Sequence, residues 1–287
     1  MQKAEPESNI HTTVDEYGWP KELRWKNCDE PLFTVSPGDF ISVEFKKPQG
    51  RWAYHRLLNE RNPQALDEYL RRIQAEPAGK TAVERNEHSI VYTQRMKHPR
   101  LKWLFRRLEV YERQQRVTLT VQLDRISSEL PEWFYVGCEF PTGSVLPTTS
   151  SGGVSFTPFS DQLPNTCRDY FAIDDWISYR TEKTCRTWIT KDAPLVSIGG
   201  PLTLQHVDGE PENPNRLYAM VFDNTWMTNF VCDEHGIFEF GFEMIQHDPC
   251  SITDIQKMSE TFLSTLPIVI HPGFPEDSTL MRRLHQP

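Results

Sequence analysis

Val117, Leu119, Val121 and Leu123 alternate with Thr118, Thr120 and Gln122. This period of two sets one face of a strand against a core and leaves the other wet. Leu108 and Val110 precede that run across the polar turn Arg113 to Gln115, so the pair predicts an antiparallel hairpin. Similar patterning predicts strands at Asp39–Phe45, Glu132–Phe140, Thr187–Ile189, Leu195–Ile198, Tyr218–Phe222 and Ile237–Met244, separated by loops bearing Pro and Gly. The strand carrying Val221 to Phe230 is too apolar for an exposed edge and is expected at the centre of a sheet. Helical spacing occurs twice. Asn62 and Pro63 supply a start for Leu66, Tyr69, Leu70 and Ile73, which Pro77 and Gly79 stop. Near the end, Ser251 and Asp254 form a capping box for Ile255, Met258, Phe262 and Leu266, a helix over 251–266 closed by Pro267. A solvated polar stretch is expected between the first helix and the hairpin, and the Thr/Ser/Gly-rich run from Leu146 to Gly153 reads as a loop able to rim a site.

Strand following strand without intervening helices predicts an all-β-dominated chain, a large antiparallel β-sandwich with two or three short helices. The expected division is a polar N-terminal arm over 1–30 and a single domain over 31–287, and no internal repeat is seen. The length of 287 residues is compatible with that reading. A net charge of −9, with no isolated basic run, argues against nucleic acid as a partner. No stretch is apolar enough to span a bilayer and the first residues hold no signal-like apolar region, so a soluble, cytoplasmic protein with no membrane partner is expected. The six cysteines form no Cys-x-x-Cys pair and read as free thiols.

Candidate chemistry lies in two clusters that mix an aromatic ring with carboxylates and amides, the combination that recognises sugars. Asp174, Asp175 and Trp176 form one, and Asp223, Asn224, Trp226, Thr228 and Asn229 the other. Packing and turn roles compete with ligand contact at both. Adjacent Asp174 and Asp175 would face opposite sides of a strand and cannot act as a glycosidase carboxylate pair. His206 with Asp208, and His247 with Asp248, have no partners at metal-ligand spacing, so no metal is expected to bind. No Gly-x-Gly-x-x-Gly, P-loop or Gly-x-Ser-x-Gly motif occurs.

Asn215 to Met244, with Asn224, Trp226, Thr228, Asn229, Phe230, Gly236, Phe238, Phe240 and Phe242, resembles a segment of family 38 α-mannosidases. Asp192 to Gly199 resembles that family's Asp-Ala-Pro-Leu-Val run, and Arg113 to Tyr135, with Pro131, Glu132 and Tyr135, its hairpin and following strand. Tyr17 to Phe45 is similar to a poorly characterised bacterial branch of mannosidase-like proteins. The resemblance implies a β-supersandwich similar to galactose mutarotase. In the family this packs against a catalytic barrel that supplies zinc and the nucleophilic Asp, so zinc is expected only in such a barrel and no cofactor in this chain. The implied function is a non-catalytic, carbohydrate-associated domain of an α-mannosidase-like glycoside hydrolase, partnered by a barrel in cis or trans. A free-standing carbohydrate-binding module and an independent sugar epimerase or lyase are the alternatives. If sugar is touched, the expected contacts are Asp223, Asn224, Thr228 and Asn229 with Trp176 or Asp192.

Overall fold

The computed structural model describes residues 9–46, 69–143, 145–190, 192–202, 207–224 and 232–265. The first described element pair is an antiparallel hairpin, β1 (Ile10–Val14) with β2 (Pro20–Trp25), within the segment expected as a polar arm. Trp19, Leu23 and Trp25 are fully buried there, so this segment joins the core.

Two larger antiparallel sheets follow. One has six strands in the order β13 (Phe171–Ala172), β16 (Leu195–Ile198), β17 (Arg216–Asp223), β10 (Glu132–Glu139), β3 (Asp39–Phe45) and β4 (Leu70–Gln74). The other has ten. Its path runs β12 (Val154–Phe156), β11 (Thr148–Ser151), β14 (Trp176–Arg180), β15 (Cys185–Thr190), β18 (Gly236–His247), β9 (Arg116–Arg125), β8 (Leu101–Tyr111), β7 (Ser89–Lys97) and β5 (Glu76–Pro77), with β6 (Ala82–Arg85) also paired to β7.

Alternation decides which side chains meet between the sheets. Phe134, Val136 and Cys138 of β10 join Val117, Leu119, Val121 and Leu123 of β9 and Phe240, Phe242 and Met244 of β18 in one apolar core. The intervening residues Trp133 and Tyr135 belong instead to a second cluster with Val43, Phe45, Leu70 and Met220, on the outer side of the six-stranded sheet. A third cluster holds α1 (Ile252–Thr265) to the outer side of the ten-stranded sheet through Ile255, Phe262, Trp176 and Ile189. Each such side chain contributes about 1.5–3 kcal/mol on burial. That docking stabilises a 14-residue helix that would be marginal alone. Its start is the expected reciprocal cap, in which Asp254 N–H donates to Ser251 Oγ and Ser251 N–H to Asp254 Oδ2, both at 3.2 Å.

β17 is third of six strands, hence central, although residues 225–230 of the expected Val221–Phe230 strand lie outside the described residues. Three expectations are corrected. Leu70 to Gln74, expected in a helix, form β4, paired with Ile41 to Phe45 of β3, while residues 62–68 of that helix lie outside the described residues. Leu70 closes the outer apolar cluster and Arg71 meets Glu44, and these tertiary contacts override the local spacing. The stretch expected to be solvated contains β7, most of whose residues are buried. The run from Leu146 to Gly153 contains β11, where Thr149 and Ser150 are buried, which limits its use as a rim. Among the described residues α1 is the one complete helix.

Candidate functional site

The segments singled out by motif meet in pairs. Asn224, just past β17, is buried and clamps the start of β10. Its Oδ1 accepts the Glu132 N–H at 2.7 Å, its Nδ2 donates to the Ser128 carbonyl at 3.2 Å, and its own N–H donates to the Glu132 carbonyl at 3.3 Å. Asp192 extends the β15–β18 ladder beyond its last pair, Thr190 with Phe242, by accepting the Gly241 N–H at 3.0 Å. Both residues tie backbone to backbone. Trp176 is buried under α1 on the outer side of the ten-stranded sheet. Asp223 pairs with Trp133 in the six-stranded sheet, and its charge reaches Tyr170 beside the outer cluster of that sheet. Trp176 and Asp223 therefore lie on opposite sides of the sandwich and do not share a cleft. Thr228, Asn229 and Trp226 lie outside the described residues.

Asp174 accepts the Gly152 and Gly153 N–H groups at 2.8 and 3.0 Å, and these backbone bonds hold its carboxyl below the usual range. Burial pushes the neighbouring Asp175 up. His206 is outside the described residues, and the Asp208 carbonyl accepts a bond from Arg168. His247 Nε2 lies 3.0 Å from Thr187 Oγ1, and burial lowers its pKa despite the adjacent Asp248 carbonyl. Among the described residues no three His, Cys, Asp or Glu side chains group as a metal site. The residues described thus do not fit a catalytic zinc, and no zinc-dependent step is assigned to them.

Among the described residues, the densest charged assembly lies where the two sheets come together, at residues with no sequence signature beyond Pro131–Glu132. Arg125 ends β9 and Glu132 starts β10, and the two side chains, both fully buried, pair at 2.8 Å. The Arg125 guanidinium sits 5.0 and 4.7 Å from the ring centres of Phe134 and Phe222. From the β7–β8 turn, Arg100 Nε donates to Glu44 at 2.6 Å and lies 3.5 Å from Glu132. Arg71 of β4 donates to the other Glu44 oxygen at 2.7 Å. His98, in the same turn, accepts the Arg100 N–H at Nδ1 and so carries its proton on Nε2, 3.1 Å from Ser42 Oγ and 3.3 Å from the Ile73 carbonyl.

Environment separates these groups. Burial pushes the Glu132 carboxyl up, against the pull of Arg125. Burial also acts on Glu44, but the bonds from Arg100 and Arg71 outweigh it and hold that carboxyl low. Desolvation lowers His98 to about 4 and keeps the ring neutral at physiological pH. The carboxylates needed for sugar chemistry are present, yet Glu44 and Glu132 are 1% and 0% exposed and are held by arginines. The adjoining recess, about 80 Å³, is bordered by Glu44, Arg71, Arg100 and Pro131 and is too small for a sugar ring. The arrangement acts as a clasp joining the sheets. Sequence reading missed Glu44, Arg71, Arg100 and Arg125 because a lone charged residue in a strand gives no local sign of its partner.

No protein-family model matches the chain, and no curated protein matches it. Solved structures do. An α-mannosidase from Enterococcus faecalis V583 superposes with a TM-score of 0.56 at 9% sequence identity, over 92% of this chain and 32% of the mannosidase. A glycosyl hydrolase family 38 protein, also from Enterococcus faecalis, gives 0.57 at 9% identity, over 92% and 33% of the two chains. A galactose mutarotase-like protein from Lactobacillus casei ATCC 334 gives 0.40 at 11% identity, over 85% and 98%. The likeness to the first two is one of fold, and this chain spans about a third of their length.

Proposed function

We propose that this chain is the non-catalytic β-sandwich part of an α-mannosidase-like glycoside hydrolase, working beside a catalytic barrel supplied in cis or trans. The observation that carries this reading is the superposition of 92% of the chain on about a third of each of two structures, one of an α-mannosidase and one of a family 38 glycosyl hydrolase. The resemblance of the Asn224, Asp192 and Pro131–Glu132 segments to that family supports it independently. So does the clasp, whose carboxylates are buried in ion pairs rather than presented to a substrate. In this reading zinc and the nucleophile belong to the barrel, and this chain needs no cofactor. Its ligand, through the finished cleft, is a mannoside-like carbohydrate.

The test is to tag this chain in its native source and assay what elutes with it. The expected result is α-mannosidase activity that elutes with the tagged chain and is lost on zinc chelation. Tagged material free of such activity would count against the reading.

A further inference from the structure

A second recess, about 200 Å³, opens at the other end of β10 and is bordered by Ser36, Asp39, Gly137, Glu139, Arg216 and Tyr218. Its volume lies below the range of pockets for drug-sized ligands and suits one small ring. The walls follow from strand register. Asp39 of β3 pairs with Gly137 of β10, Tyr218 of β17 pairs with Gly137 from the other side, and Glu139 pairs with Arg216. Gly137 is required here, because a Cβ at this position would meet the Tyr218 ring at 2.8 Å. The ring therefore lies across the glycine as an apolar wall, and Val35, 38% exposed, adds an apolar edge.

The polar groups are held before any ligand arrives. Pro37 and Gly38 turn the chain into β3, Gly38 at φ +79° with its N–H donating to the Gly137 carbonyl at 2.9 Å. The Pro37 carbonyl accepts Trp19 Nε1–H at 3.1 Å and an Arg106 bond at 3.4 Å. Arg106 lies 4.2 Å from the Trp19 ring centre and donates twice to Gln94 Oε1, at 3.0 and 2.7 Å. Ser36 and Asp39 flank this fixed turn.

Charge selects the ligand. Of the bordering residues, Asp39 and Glu139 are acidic and Arg216 is basic, donating to Glu139 at 2.7 Å, while Arg106, buried behind the wall, stands 3.7 Å from Asp39. With Arg106 counted behind the wall the charges cancel in two pairs, which favours neither an anion nor a cation. Burial raises the Asp39 carboxyl and the Tyr218 hydroxyl, and both residues remain partly exposed. Among the described residues the Asp39 carboxylate has Arg106 as its one ion-pair partner, and the Ser36 and Tyr218 hydroxyls make no hydrogen bond. These groups are closely set acceptors and donors beside an aromatic wall.

We propose that this cleft binds a neutral polyol, a single pyranose ring, with adjacent hydroxyls bonded to Asp39, Tyr218 and the Glu139–Arg216 pair. None of these residues is in the motif-bearing segments' expected contact set. The assignment stands on the cleft's own groups and does not depend on the mannosidase-like reading, whose test is turnover rather than binding.

Calorimetry and saturation-transfer NMR on the full chain test it, using the methyl α-glycosides of mannose, galactose and glucose. The expected result is binding of at least one glycoside at roughly millimolar strength. Asp39→Asn and Tyr218→Phe should each weaken it about 5-fold or more, the loss of one hydrogen bond. Tyr218→Phe keeps the ring and its packing, so a parental melting temperature in that variant separates lost contact from lost fold. Inorganic phosphate and putrescine should not compete. Silence of all three glycosides up to about 50 mM, roughly the weak limit of useful affinity, would overturn the proposal. So would parental affinity in both variants, or displacement of the sugar by phosphate or putrescine.

Discussion

Arg125 is fully buried, yet its Nε and Nη1 have no hydrogen-bond partner. Its stability rests on Glu132 and the faces of two phenylalanines. Arg125→Met is expected to cost about 3–5 kcal/mol, since it strips a buried carboxylate of its closest partner. The double change Arg125→Met with Glu132→Gln should recover much of that loss, because neither charge is then left alone. Denaturant unfolding of the four proteins checks both statements, and equal costs for the single and double variants would count against the clasp. Asn224→Ala should cost about 1–3 kcal/mol, the penalty for orphaning the Glu132 N–H and the Ser128 carbonyl.

Glu243 gives a pH dependence. It lies in β18 under α1, its side chain 3% exposed, with Arg116 at 3.2 Å. Burial raises its pKa to about 7 from 4.5, and Arg116 only partly offsets this. Between those values the folded chain holds a proton that the unfolded chain releases. Stability therefore falls as pH rises through this window, and the full cost is present above about pH 7. Glu243→Gln should stabilise by roughly 1–3 kcal/mol at pH 8 and by little at pH 4, read from urea midpoints at the two pH values. The opposite order would show that the ion pair outweighs desolvation.

At the scale of elements, α1 has no backbone ladder to either sheet and is docked through Ile255 and Phe262 on Trp176 and Ile189. Phe262→Ala should speed amide exchange across 252–265 while leaving β10 protected, because β10 is central and backbone-bonded on both sides. Equal acceleration in both would mean that helix and sheet unfold as one unit. The elements that were legible in sequence share a physical trait. β9 has one wet and one buried face, so Thr118, Thr120 and Gln122 alternate visibly with its core residues. β3, β10, β16, β17 and β18 are bounded much as their apolar runs suggest. β7 escaped notice because Gln94, which interrupts its apolar pattern, is buried as the partner of Arg106. β4 misled because Leu70 and Ile73 happen to be three apart, while Arg71 and Arg72 between them are held by the pairing with β3.

At the scale of the molecule, the antiparallel sandwich was readable from the strand pattern, and the site was not. Asn224 and Asp192 lie in motif-bearing segments, yet the structure gives them backbone-bridging roles that explain why particular residue types stand there. The Asp39 cleft draws on β3, β10 and β17 plus the Pro37–Gly38 turn, so only tertiary register brings its groups together. No helix among the described residues is long and apolar enough to cross a membrane.

If the sandwich works beside a separate catalytic barrel, as proposed, it does not cleave glycosides by itself. The most direct measurement is release of nitrophenolate from 4-nitrophenyl α-D-mannopyranoside by the purified chain, with and without added zinc. The account predicts a rate equal to buffer under both conditions. Saturable turnover that follows the chain through purification would contradict it.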